Sequence, residues 1–182
     1  EKRAVLYKAL SQVMVNTEFA KRQVTSLGCD PAKVAVLPQG LPVSEFAFSA
    51  RQAPAGEALK VLSVGRFHRD KGQAYALLAL RRLLDQGLSV DWTFVGVGPD
   101  LERLRKLAAR LSVTPHVRFH VALPPDELKD LYRTCHLFVL PSVDNPGGHV
   151  ETQGVVLQEA QASGCIPLAS RVGGIPECLN DG

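Results

Sequence analysis

A doubly wound parallel α/β sheet is predicted for this chain by three observations: apolar runs of strand length recur between Leu59 and Ala169, a stretch with helical spacing follows almost every one, and glycine or proline punctuates the junctions. With 182 residues, 46% of them apolar, the chain can bury a sizeable core and suits one domain with an appendage.

Residues 1–11 set Lys2, Arg3 and Lys8 against Val5, Leu6, Tyr7 and Leu10, a basic amphipathic helix that serves as a solvated face or as a membrane-surface patch. A short strand over Gln12 to Val15 follows, then a helix capped by Asn16 or Thr17 that runs to Leu27 and ends at Gly28. Lys33 to Leu37 reads as a strand broken by Pro38. Gln39 to Glu57, rich in proline, glycine and alanine without sustained periodicity, reads as a linker, which divides the chain into residues 1–38, 39–57 and 58–182.

Alternation then becomes regular. Leu59 to Val64 is a strand, and Gly72 to Gln86 a helix whose inner face is expected to carry Tyr75, Leu77, Leu78, Leu80, Leu83 and Leu84, closed by Gly87. Val90 to Val95 is a strand, Pro99 to Leu111 a helix opening on proline, and Val117 to Val121 a strand. Pro125 to Thr134 is a helix, His136 to Leu140 a buried strand, Gln153 to Ser163 a helix, Ile166 to Ala169 a strand, and Ile175 to Leu179 a short helical turn. No repeat of solenoid period occurs.

Composition narrows the function. A net charge of +3 and a pI near 8.8 are too mildly basic to indicate nucleic acid, while an anionic substrate or an acidic membrane face stays open. Cys29, Cys135, Cys165 and Cys178 form no C-x-x-C pair and no N-x-[ST] sequon is present, so they read as reduced thiols of a cytoplasmic protein. Neither a signal peptide nor a membrane-crossing run is apparent. A start at Glu1 and a stop at Gly182 suggest a piece of a longer chain.

The candidate chemistry centres on ETQGVVLQEAQASG, Glu151 to Gly164. A loop that becomes a helix near Gly154 leaves its first N–H groups unpaired at the positive end of the helix dipole, which attracts a phosphate. Gly154, without a Cβ, lets the anion come close. Glu159, about one and a half turns in, can accept from the hydroxyls of a ribose, while Glu151 faces whatever lies beyond the phosphates. Taken alone, two glutamates at the ends of an amphipathic helix are usually solvated surface charges.

VGRFHRDKG, from Val64 to Gly72, supplies Arg66 and Lys71 in another loop at the ligand end of the sheet. Two fixed cations and a helix dipole would stabilise a departing diphosphate without a metal, although Arg66, Arg69 and Lys71 taken alone read first as ordinary loop charges. The G-x-G of Gly96 and Gly98 lacks a third glycine, since Leu101 stands there, and no acidic residue follows in VRFHV, which argues against a dinucleotide site. His149 and Glu151 form H-x-E with no P-C-x-x-C after it, so a zinc deaminase is excluded, and the five histidines lack zinc-protease spacing. No G-x-S-x-G and no P-loop occurs.

The order VGRFHRDKG, FVGVGPDLERL, VRF, LPPDEL, LFVLPS, E-x7-E, QASGCIPLAS and VGGIPE resembles the carboxyl-terminal domain of family 4 retaining glycosyltransferases with the GT-B fold. The resemblance covers roughly Leu59 to Gly182; VLPQGLPVSEF resembles the interdomain crossing, and residues 1–38 the end of the amino-terminal domain. It implies a Rossmann-like half of a GT-B fold, incomplete at both ends. By the same resemblance Arg66 and Lys71 clamp the donor diphosphate, Glu159 binds the ribose and Glu151 contacts the donor sugar at the reaction centre. The backbone around Gln153, Gly154 and Val155 meets phosphate and sugar, Gly65 lies beside the donor, and the base rests near Phe119 to Ala122, with Val121 at its edge. Such enzymes retain the anomeric configuration, use no metal or other cofactor, and act on a nucleotide-diphosphate sugar and a carbohydrate or lipid-linked acceptor. Nucleic acid is no partner, and peripheral membrane contact would come through the part of the chain beyond these residues, at the inner face. A catalytically inactive nucleotide-sugar-binding domain and a GT-B epimerase are the alternatives.

Four positions depart from the family pattern: Gln39 where asparagine is frequent, Val97 where an acid is common, Val121 where glycine is common, and Gln153 in place of an aromatic residue. They bear on base and sugar choice rather than on the diphosphate site. The glycine-rich VDNPGGHV before Glu151 reads as a lid, an acceptor contact or a plain surface loop.

Overall fold

The computed structural model describes residues 2–144 and 149–179. Within residues 1–38, α1 (Lys2–Ala9) leaves Val5 and Leu6 exposed, and β1 (Val13–Val15) pairs in parallel with β2 (Val34–Val36). Between them lies α2 (Glu18–Ser26). Thr17 rather than Asn16 is its cap: Thr17 sits in extended backbone and its Oγ1 accepts from the N–H of Ala20 at 3.1 Å.

Five parallel strands form the main sheet in the order β5-β4-β3-β6-β7: β3 (Leu59–Val64), β4 (Val90–Val95), β5 (Val117–His120), β6 (Leu137–Leu140) and β7 (Ile166–Ala169). Helices α3 (Gln73–Asp85), α4 (Leu101–Arg110), α5 (Pro125–Thr134) and α6 (Val155–Ala162) connect them. The predicted doubly wound parallel sheet is therefore the observed one. After β3 the chain winds outward to β5, then returns to place β6 on the other side of β3. The loops leaving β3 and β6 thus diverge at the carboxyl ends of adjacent strands and open a crevice, the switch point of such sheets.

Strand alternation divides the core into two layers. Val61 joins Leu77, Leu80, Trp92, Phe94 and Leu104 on one side, and its neighbour Leu62 joins Tyr132, Phe138, Leu140 and Leu157 on the other. Ser63 is buried without penalty because its Oγ donates to the carbonyl of Val139 at 2.7 Å and accepts from Trp92 Nε1 at 3.1 Å. Trp92, Phe94 and Phe119 stack with centroids 5.6 and 5.3 Å apart, which ties β4 to β5.

Two sequence expectations are corrected. Tyr75 and Leu78 were expected on the inner face of α3, yet they are 61% and 44% exposed; Gln73, Ala76, Leu77 and Leu80 are the buried residues. The apolar stripe of α3 is wider than the strip of sheet beneath it. Its outer edge overhangs the side of β6 and β7, where Ile166 and Leu168 are also exposed, and lines an open apolar groove. The helix expected to open on Pro99 begins at Leu101, with Asp100 as its cap.

Candidate active site

The loop leaving β3 is held from several sides. Phe67 is fully buried, and Gln73 Nε2 donates to the carbonyl of Arg66 at 2.8 Å. Asp70, also buried, has its Oδ1 2.7 Å from His68 Nδ1, and its carbonyl accepts from Val143 N at 2.8 Å, which joins this loop to the one leaving β6. From the frame so built, Lys71 reaches inward and Arg66 lies across the rim, its side chain 58% exposed and 3.8 Å from Asp70.

The second wall is the start of α6. Gly154 caps it in the left-handed region (φ +73), and a Cβ there would come within 3.1 Å of Leu157 Cδ1. Glu151 is backed by the V-G-G segment: the N–H of Gly174 donates to its carbonyl at 2.9 Å, and a Cβ on Gly173 would fall 1.9 Å from the same oxygen. Lys71 Nζ stands 2.7 Å from Glu151 Oε2, with side-chain exposures of 15% and 16%.

These residues enclose a pocket of about 300 Å³. Gly65, Arg66, Lys71, Glu151, Gln153, Gly154 and Val155 all line it. Arg66, Lys71 and a helix start that no side chain caps face this pocket beside Glu151, an arrangement suited to an anion.

Glu159 and Val121 are not among the lining residues. Glu159 lies on α6 beyond the pocket, with Oε2 accepting from the hydroxyl of buried Tyr132 at 2.7 Å. Burial, reinforced by the Glu159 charge, pushes the Tyr132 hydroxyl far above its ordinary range, so it remains a donor. Val121 is exposed just after β5, followed by Ala122 at φ +54. The centre of VDNPGGHV, residues 145–148, lies outside the described residues.

Three features went unread in the sequence. Asn16, a helix-cap candidate by sequence, lines the pocket and donates to Thr152 Oγ1 at 3.1 Å. Tyr132 gave no local signal of its bond to Glu159. The departures Gln39 and Gln153 prove to be partners: buried Gln153 accepts from Gln39 N–H at 3.0 Å and donates to Gln39 O at 2.9 Å.

Residues 45–182 match the family described as Glycosyl transferases group 1. The chain belongs to that family. Among group 1 glycosyltransferases and their relatives, it is 34% identical over 161 residues to the putative colanic acid biosynthesis glycosyltransferase WcaL of Salmonella typhimurium, an alignment covering 88% of this chain and 39% of that protein. It is 35% identical over 191 residues to the D-inositol 3-phosphate glycosyltransferase of Streptomyces bingchenggensis, covering 96% of this chain and 41% of the relative. The chain therefore spans less than half the length of the curated relatives it matches. In structure it resembles Anabaena HepE, solved with UDP and glucose, with a TM-score of 0.79 at 20% identity over 94% of this chain and 47% of that one. This likeness establishes the Rossmann-like architecture of GT-B glycosyltransferases for the present group 1 chain. Among the described residues no helix is long and apolar enough to cross a membrane.

Proposed function

We propose that this chain holds the donor half-site of a retaining, metal-independent family 4 glycosyltransferase, which moves a sugar from a nucleotide-diphosphate sugar to a carbohydrate or lipid-linked acceptor. The observation that carries the reading is the convergence of Arg66, Lys71 and the start of α6 on one pocket at the switch point, with Glu151 between them. In this reading the diphosphate lies against the first turn of α6. Arg66 and Lys71 neutralise the charge that grows as the bond to the sugar breaks. Glu151 contacts the sugar, Glu159 takes the ribose hydroxyls, and the base rests beside Val121. The acceptor hydroxyl attacks the face that the diphosphate leaves, so the anomeric configuration is kept. HepE was solved with UDP, and WcaL is named for colanic acid biosynthesis; a uridine nucleotide sugar and an envelope or secreted polysaccharide are accordingly the first donor and product class to try. A cytoplasmic location, at the inner face of the membrane, suits such a product.

The test uses the protein with whatever flanking sequence its gene encodes. Nucleotide sugars are screened with and without glycan and lipid acceptors, reading released nucleoside diphosphate and the anomeric configuration by NMR. Transfer with retention in the presence of a chelator, reduced about 100-fold by Arg66→Ala or Lys71→Ala, is expected. Inversion, or turnover indifferent to both substitutions, would remove the reading. Nucleotide binding without transfer would favour an inactive binding domain instead.

A further inference from the structure

Behind Glu159 lies a group of side chains that the proposed reaction does not use. Cys135, just before β6, and Cys165, just before β7, are each 4% exposed, and their Sγ atoms are 2.9 Å apart. Both thiols point at the carbonyl of Tyr132, Cys165 at 2.8 Å and Cys135 at 3.6 Å. Arg51, from the segment read as a linker, closes the group: its Nη2 donates to the same carbonyl at 2.8 Å and its Nε to the carbonyl of Cys135 at 2.6 Å. A guanidinium is thus fixed beside a thiol pair, and the residue at the centre of both is the one whose hydroxyl holds Glu159.

We propose that Cys135 and Cys165 form an oxidisable dithiol, converted to an intramolecular disulfide by a peroxide-class oxidant, and that its oxidation loosens the hold of Tyr132 on Glu159. The hydrogen bond from Cys135 holds the Cys165 thiol below its ordinary range against the opposing effect of burial, and the Arg51 guanidinium adds to the lowering. Cys135 is pushed upward by its bond to Cys165 and by burial, so it keeps its proton. Cys165 as thiolate attacks one peroxide oxygen, the O–O bond breaks, and a sulfenic acid and water result once the departing hydroxide is protonated. Cys135 sulfur then attacks Cys165 sulfur, the S–O bond breaks, and hydroxide leaves with the Cys135 proton as a second water. In total two thiols and one peroxide give one disulfide and two waters; the sulfurs lose the two electrons that the peroxide gains. In the reduced pair Cys135 donates to Cys165 and the protonated Cys165 thiol donates to the Tyr132 carbonyl; after oxidation neither sulfur carries a proton, which leaves Arg51 as the remaining donor to that carbonyl in the group.

Only the significance of Glu159 rests on the donor-site reading; the disulfide and the loosening do not. The purified chain is treated with hydrogen peroxide, alkylated and peptide-mapped, and amide hydrogen exchange is compared before and after. A Cys135–Cys165 cross-link is expected, with Cys29 and Cys178 still alkylated. Exchange at the carboxyl end of α5 and in α6 should quicken about fivefold, reverse with dithiothreitol, and stay unchanged in peroxide-treated Cys135→Ser. Absence of the cross-link, or a cross-link that leaves exchange in α5 and α6 unaltered, overturns the proposal. A UDP titration of the untreated chain runs in parallel: failure to bind there counts against the donor site and leaves the thiol result standing.

Discussion

Lys71 and Glu151, separated by 80 residues in sequence, meet as an ion pair with Nζ 2.7 Å from Oε2. Each side chain is about six-sevenths covered, so neither charge is fully hydrated and each depends on the other. Lys71→Ala would leave the Glu151 carboxylate without its cation and should lower stability by about 2 kcal/mol, well above the value of an exposed pair. Removing both should cost less than the two single changes summed. A double-mutant cycle in urea would measure this coupling, expected at about 1–2 kcal/mol; strict additivity would mean the pair is energetically idle.

Tyr132→Phe removes the donor that fixes Glu159 while keeping the ring that packs edge-on to Phe46 with centroids 6.4 Å apart. If Glu159 receives a ribose, affinity for a nucleoside diphosphate should fall about tenfold, the worth of one hydrogen bond to a charged group. Preference for the ribonucleotide over its deoxyribose counterpart should weaken with it. Calorimetry with both nucleotides reads the two effects separately.

The same tyrosine predicts an alkaline limit. Its hydroxyl titrates far higher folded than unfolded, chiefly through burial, so above about pH 10 the unfolded chain releases a proton that the folded chain keeps. The contribution is fully present below that pH and is lost as pH rises, by about 1.4 kcal/mol per pH unit. Denaturation profiles from pH 9 to 11 should therefore fall more steeply for the native chain than for Tyr132→Phe. Parallel profiles would refute it.

Glu177 caps a helix that is remote in sequence. Its two carboxylate oxygens each accept at 2.7 Å, one from the N–H of Glu18 and one from that of Phe19, at the positive end of α2. Glu177→Ala should cost about 1 kcal/mol and lower Tm by about 2–4 °C. Glu177→Gln, which can satisfy only one N–H with its single oxygen, should fall between in a thermal melt.

Gly173→Ala tests how Glu151 is seated. The added Cβ would meet the Glu151 carbonyl at 1.9 Å on a backbone at φ +62. Relief requires the backbone of Glu151 to move, at about 3 kcal/mol, and nucleotide affinity should drop along with stability. Unchanged affinity in a folded variant would place Glu151 outside the binding site.

Much of the fold was legible because its signals are local. The apolar run Leu59–Val64 between a linker and a glycine coincides with β3, and Pro125–Thr134 with α5, since proline at the first helical position and an acidic first turn mark its start. Arg66, Lys71, Glu151 and Gly154 could be placed at one end of the sheet because parallel order fixes where its loops open. Tyr75 and Leu78 were misread because periodicity reports which side of a helix is apolar but not how much sheet lies beneath it. The pairings of Lys71 with Glu151, Tyr132 with Glu159 and Gln39 with Gln153 leave no periodic trace, being meetings of side chains 80, 27 and 114 residues apart.

Neither apolar cluster takes a residue from 1–38. Polar bonds join that part to the sheet near the pocket: Asn16 and Thr17 on Thr152, and the Glu177 carboxylate on α2. Each such bond contributes only modestly to holding the seam, because water offers a released amide or carboxylate an equivalent partner. The wall bearing Asn16 is thus fastened to the mouth of α6 by directional bonds, so its place there depends on the angle and reach of a few polar side chains.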